Sequence, residues 1–92
     1  EWQGGSVNIA GYMYDEQGRP TWYITVLPTP DPLRITGNWW TYAGGQAMGQ
    51  PYRAPTRTSD NAGALDVQFT SATTATLRLP DGRTIPLVRQ AF

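Results

Sequence analysis

The sequence predicts an all-β protein of about six antiparallel strands, linked as a hairpin meander and rolled into a small barrel or a strongly curved sheet. Three observations carry this expectation. Apolar and polar residues alternate along most of the 92-residue chain, which is the period of a half-buried strand, and helical periodicity is absent. Gly, Pro and Asp gather between the alternating runs, where turns require them. Twelve Thr add β-branched side chains suited to a pleated surface.

The first run alternates Val7, Ile9, Gly11 and Met13 with Asn8, Ala10, Tyr12 and Tyr14. Asp15-Glu16-Gln17-Gly18 reads as a type I turn with Gly in the left-handed position, and Pro20 stiffens its exit. In the second run Trp22, Ile24 and Val26 alternate with Tyr23, Thr25 and Leu27. Pro28, Pro30 and Pro32 then make a rigid connection that cannot donate to a ladder. The third run alternates Leu33, Ile35, Gly37 and Trp39 with Arg34, Thr36, Asn38 and Trp40. Ala43 to Ala62, rich in Gly and Pro, reads as a long loop interrupted by a short strand around Tyr52, and loops of this length are often functional. Leu65, Val67 and Phe69 form the fourth run, and the tight Ser71-Ala72 turn leads to Ala75, Leu77 and Leu79 in the fifth. Pro80-Asp81-Gly82 turns the chain into the last run, with Ile85 and Leu87 on one face.

The length suits one small domain, residues 1–92. Seven Arg balance seven acidic residues, and the chain has no His, Cys or Lys. That composition removes imidazole bases, thiolate nucleophiles, Schiff-base lysines, disulfides and the usual zinc ligands. No metal, no cofactor and no catalytic residue is therefore expected, and the chain reads as a non-enzyme. The Arg are scattered rather than striped, so no nucleic-acid partner is expected. No run approaches the ~20 apolar residues of a membrane-spanning helix.

Gly11-Tyr12-Met13-Tyr14-Asp15-Glu16-Gln17-Gly18-Arg19-Pro20-Thr21-Trp22-Tyr23 resembles the signature of a family of secreted bacterial β-modules, found mostly in proteobacteria. Members occur alone, in tandem, or at the C-terminal end of larger exported proteins. The resemblance continues through Gly37–Gln46 and through Gly63 to Arg89 and Phe92, and so covers almost the whole chain. It implies an all-β module in an extracellular or periplasmic setting, and brings with it no activity and no functional residue. Family members begin with an aromatic, Gly-rich strand, of which Glu1-Trp2-Gln3-Gly4 is the remainder, so the opening strand is expected to be reduced or missing. Such a sheet leaves unpaired N–H and C=O groups, and Trp2, Gln3 and Val7 are the candidate assembly edge.

The remaining candidates are aromatic: Trp22, Tyr23, Trp39, Trp40, Tyr42 and Tyr52, with Tyr12 and Tyr14 on the facing hairpin. In Trp39-Trp40 alternation sends one indole to each face; either the aromatics form an open platform, or Trp22 and Trp39 are core and Trp40 is covered by the 43–62 loop. Exposed rings on a rigid sheet stack on sugars or anchor protein partners. The carboxylates Asp15, Glu16 and Asp81 sit in turns, where Asp bonds the nearby backbone, and Arg78 and Arg89 are candidates to pair with Asp66. Two functions follow as expectations. One is an exported, non-catalytic interaction module that recognises a glycan or protein surface through its aromatics and the 43–62 loop. The other is a structural subunit of an extracellular assembly or filament, self-associating or joined to a larger parent protein by strand addition.

Overall fold

The computed structural model describes residues 2–31 and 33–91, with the backbone alone for Trp2. Glu1 lies outside the described residues, as do Pro32 of the rigid connection and the terminal Phe92. The elements are β1 (Trp2–Gln3), β2 (Ser6–Tyr14), β3 (Pro20–Pro28), β4 (Arg34–Asn38), β5 (Thr41–Ala43), β6 (Thr56–Ser59), β7 (Ala64–Phe69), β8 (Thr74–Arg78) and β9 (Thr84–Val88). Every pairing is antiparallel, and the fold is all-β. No helix among the described residues is long and apolar enough to cross a membrane.

Among the described residues nine strands stand where six are expected, because the third run breaks at Trp39-Trp40 into β4 and β5 and short strands form at Trp2–Gln3 and Thr56–Ser59. Leu33 belongs to a turn, and its run begins at Arg34. Trp39 donates its N–H to Gly63 O on one side, whereas Trp40 exchanges both backbone bonds with Ile24 on the other, at 2.8 and 3.2 Å. That exchange joins the β1-β2-β3 sheet to the line of β4 and β5, with β7 and β6 on its far side. The strand expected around Tyr52 is absent. Pro51 and Pro55 bracket that position and withhold ladder donors, so pairing resumes only at the β-branched Thr56-Arg57-Thr58, opposite β5. The loop expected over 43–62 thereby shrinks to residues 44–55.

Alternation places Val7, Ile35, Trp39, Leu65, Val67 and Ala75 in the buried core, with Ile9, Tyr23, Leu27, Phe69 and Leu77 packed against it. Trp39 is 4% exposed and meets Tyr23 edge to face, with centroids 6.4 Å apart. Its ring also lies against Gly11, where the lack of a side chain makes room. Leu27 fits against Gly37 so closely that a Cβ there would stand 2.5 Å from its Cδ2.

Thr25 is fully buried on this inner face, and its hydroxyl has no hydrogen-bond partner. A buried unpaired hydroxyl costs about 1–3 kcal/mol. Thr25→Val keeps the shape and removes that cost, so thermal unfolding should show a midpoint raised by about 4–8 °C for each kcal/mol regained. An unchanged or lowered midpoint would show that the hydroxyl is satisfied in solution.

The hairpin turns follow the sequence. Asp15 Oδ1 accepts from the Gln17 and Arg19 amides, both at 2.9 Å, and Gly18 adopts φ 78°. The Arg19 amide is the main reason the Asp15 carboxyl titrates below its ordinary value. The Arg83 amide does the same for Asp81. Asp66 pairs with Arg34 rather than Arg78 or Arg89, through bonds of 3.1 and 2.7 Å, and Arg34 lowers its pKa. Asp66 lies between two cations on the outer face, Arg34 diagonally across β4–β7 and Arg78 directly opposite across β7–β8, and Arg34 makes the hydrogen bonds.

The meander does not close. No strand joins β2 to β9 among the described residues. The Cα radius of gyration is 14.8 Å, against about 12 Å for a compact chain of this length.

Candidate functional site

The outer face of β3, β5 and β6 brings together Trp22, Trp40, Tyr42 and Arg57. The register follows from the Ile24–Trp40 bridge, which sets Trp22 beside Tyr42. Their rings are parallel to within 6°, with centroids 5.9 Å apart. Arg57 lies opposite Tyr42 in the β5–β6 ladder. Its guanidinium carbon sits 4.1 Å from the centre of the Trp40 ring, and its Nε donates to Tyr42 Oη at 3.2 Å. Trp22, Ile24, Val26, Trp40, Tyr42 and Pro55 line a shallow recess of about 320 Å³, near the lower limit of about 300 Å³ for ligand pockets. The recess is apolar, and the Arg57 guanidinium and Tyr42 hydroxyl stand beside it. Thr41 and Thr58 share a hydroxyl bond of 2.7 Å at the neighbouring ladder position.

The aromatic candidates therefore divide by face. Trp22, Trp40 and Tyr42 meet on the outer face, so Trp22 is not the core residue one reading of the alternation made it: it is 42% exposed, in opposite phase to the buried Thr25. Tyr23 and Trp39 pack inward, because they occupy the opposite phase of the same alternation, and they belong to the core. Tyr52 stands 78% exposed in the 44–55 loop and does not line the recess. That loop reaches the site only through Pro55. Trp40 is half-buried and covered by Arg57, which lies within the 43–62 stretch but on strand β6. Arg57 and Pro55 were missed in the sequence. Their signal was the Pro-Thr-Arg-Thr sequence, β-branched residues in alternation directly after a proline.

A second feature is the seam between β2 and β9. It forms a groove of about 490 Å³ whose floor includes Val7, Ile9, Ile35, Val67, Leu77 and Leu87. Ile85 and Leu87 point inward on β9 and remain exposed. The candidate edge residues Trp2 and Gln3 pair with Val7 and Ser6 of their own chain. Val7 is thus a core residue flanked by two strands and not an edge, because β1 covers it. Among the described residues β1 pairs with Ser6 and Val7 of β2.

No family model, no curated protein and no solved structure matches this chain.

Proposed function

We propose that the protein is a non-catalytic recognition module of an exported protein, and that its outer aromatic recess binds a glycan. The parallel stack of Trp22 on Tyr42 beside an apolar recess carries this reading. A sugar ring presents an apolar face of axial C–H groups and a rim of hydroxyls. An aromatic wall suits the first, and the donors of Arg57 and the hydroxyl of Tyr42 suit the second. The sheet holds these groups in place before binding, which reduces the ordering cost. Export follows from the resemblance of the Gly11–Tyr23 hairpin to secreted modules.

The test is binding to a panel of immobilised polysaccharides. Trp22→Ala should weaken retention by about two- to twelvefold, the scale of 0.5–1.5 kcal/mol for one aromatic contact, and Trp40→Ala should do at least as much. Tyr52→Ala should leave it unchanged. Retention that is absent across the panel, or indifferent to Trp22 and Trp40, would refute the proposal.

A further inference from the structure

The Arg side chains of this protein do not share one kind of partner. Arg19, Arg34 and Arg83 each hold an Asp, at 2.9, 2.7 and 2.6 Å. Arg57 holds no carboxylate among the described residues. It is fixed instead by the aromatic side chains of the recess. Its guanidinium carbon lies 4.1 Å from the centre of the Trp40 ring, and its Nε donates to Tyr42 Oη at 3.2 Å. These contacts use the flat face of the guanidinium and the Nε donor. The Nη groups, which carry the rest of the donors, make no hydrogen bond among the described residues.

The surroundings leave this cation without a counter-charge. The residues that line the recess are aliphatic, aromatic or proline. β5 is Thr41-Tyr42-Ala43 and β6 is Thr56-Arg57-Thr58-Ser59, so neither strand of the ladder that carries Arg57 supplies a carboxylate. The cation also stands within reach of a ligand in the recess. Its guanidinium carbon is 5.8 Å from the centre of the Tyr42 ring. A sugar lying against that ring therefore brings an exocyclic group on its rim within hydrogen-bond distance of the Nη fork.

We infer that the recess selects an acidic glycan: the carboxylate of a uronic acid takes the Nη fork of Arg57 while the sugar ring lies on the Trp22–Tyr42 stack. This rests on the reading of the recess as a glycan site and names the class of glycan it takes. A planar guanidinium offers parallel N–H donors that match both oxygens of a carboxylate. The carboxyl group of a uronic acid is attached directly to the ring, so a single sugar meets the aromatic wall and the fork together. Trp40 beneath the guanidinium and Tyr42 beside it hold the fork in place, which leaves little ordering to binding. The wall gives a uronate what a simple anion cannot use, and the fork gives it what a neutral sugar cannot use. An acidic peptide carries its carboxylates on flexible stems and has no ring face for the stack, so a uronate polymer fits the two features better.

Retention on immobilised polygalacturonate, alginate and hyaluronan, each beside its own methyl ester, tests this. The ester caps the carboxylate and keeps the ring. At least one acid should be held about tenfold more tightly than its ester, the scale of a charge-assisted hydrogen bond, and added salt should narrow the gap. Arg57→Met keeps an unbranched stem over Trp40 without the charge, and should bring the acid down to the level of its ester. Arg57→Lys restores the charge without the fork, and should recover only part of the difference. The acid and ester are compared on the wild type, so that result does not depend on how either variant folds. Equal retention of acid and ester, or retention of neutral polysaccharides alone, would overturn the acidic assignment; if Trp22→Ala weakens that retention, the glycan reading still stands. No retention of any polysaccharide, acidic or neutral, would overturn both. An acid preference that survives Arg57→Met would overturn the role of Arg57. Polyglutamate held as tightly as the best uronate would show that charge alone is read, and dextran sulfate held more tightly would show that the fork takes a sulfate; either result would overturn the inference.

Discussion

Trp39→Ala is expected to leave the chain close to unfolding at room temperature. The indole is 4% exposed, touches Tyr23 and lies against Gly11, so it connects β2 and β3 to the line of β4. Removal of a buried Trp commonly costs about 3–5 kcal/mol, because the cavity cannot fully collapse. Here Gly11, on the facing strand, has no side chain to move into the space. A domain of this length has a total stability of about 5–14 kcal/mol, and an unclosed sheet belongs near the lower end. Urea unfolding followed by tryptophan fluorescence should show the midpoint falling by more than half. Trp40→Ala is the comparator. Its ring lies on the outer face under Arg57, and its link to β3 is made by backbone atoms. It should therefore cost much less. Equal losses for the two variants would contradict the division of faces.

Pro86→Thr should make the protein form larger assemblies. The substitution restores an N–H at the centre of the open β9 edge and leaves the β8 ladder as it is, because residue 86 faces away from β8. Thr also has high strand propensity. An unguarded edge with the inward Ile85 and Leu87 exposed beside it is a template for another strand. Light scattering should rise with time and concentration, with thioflavin-positive or filamentous material visible by electron microscopy. The thermal midpoint should change little. A variant as soluble as the wild type over several days would show that the edge is shielded by something other than the proline.

Alternation sufficed to place most of the core, and the reason is geometric: a period of two admits only two faces. Trp39 and Trp40 therefore separated as their order demands, and the turns at Asp15–Gly18 and Pro80–Gly82 were evident from their chemistry. Pairings between distant strands were not. That Asp66 also has Arg34 as a diagonal neighbour, and bonds it, depends on the β4–β7 register, and register is a property of two strands together. Arg57 reaches Trp40 and Tyr42 through a β5–β6 pairing that contains an irregularity at Thr41/Tyr42, which alternation within either strand does not encode. The display at Tyr12 and Tyr14 was hidden for a related reason. Alternation puts both on the outer face of β2, but their exposure of 84% and 71% depends on which neighbours the folded sheet brings there.

The single backbone exchange between Ile24 and Trp40 has a structural consequence. Among the described residues it is the backbone connection between the hairpin of β2 and β3 and the remainder of the sheet. From there towards Arg34 the two parts touch through side chains such as Leu27 against Gly37. The two parts therefore share one hydrogen-bonded ladder position on the outer side and one side-chain core on the inner, where Val7, Tyr23 and Leu27 pack with Ile35, Trp39 and Leu65. Trp22 stands on one part and Tyr42 on the other, so the stacked pair spans the junction beside that ladder position.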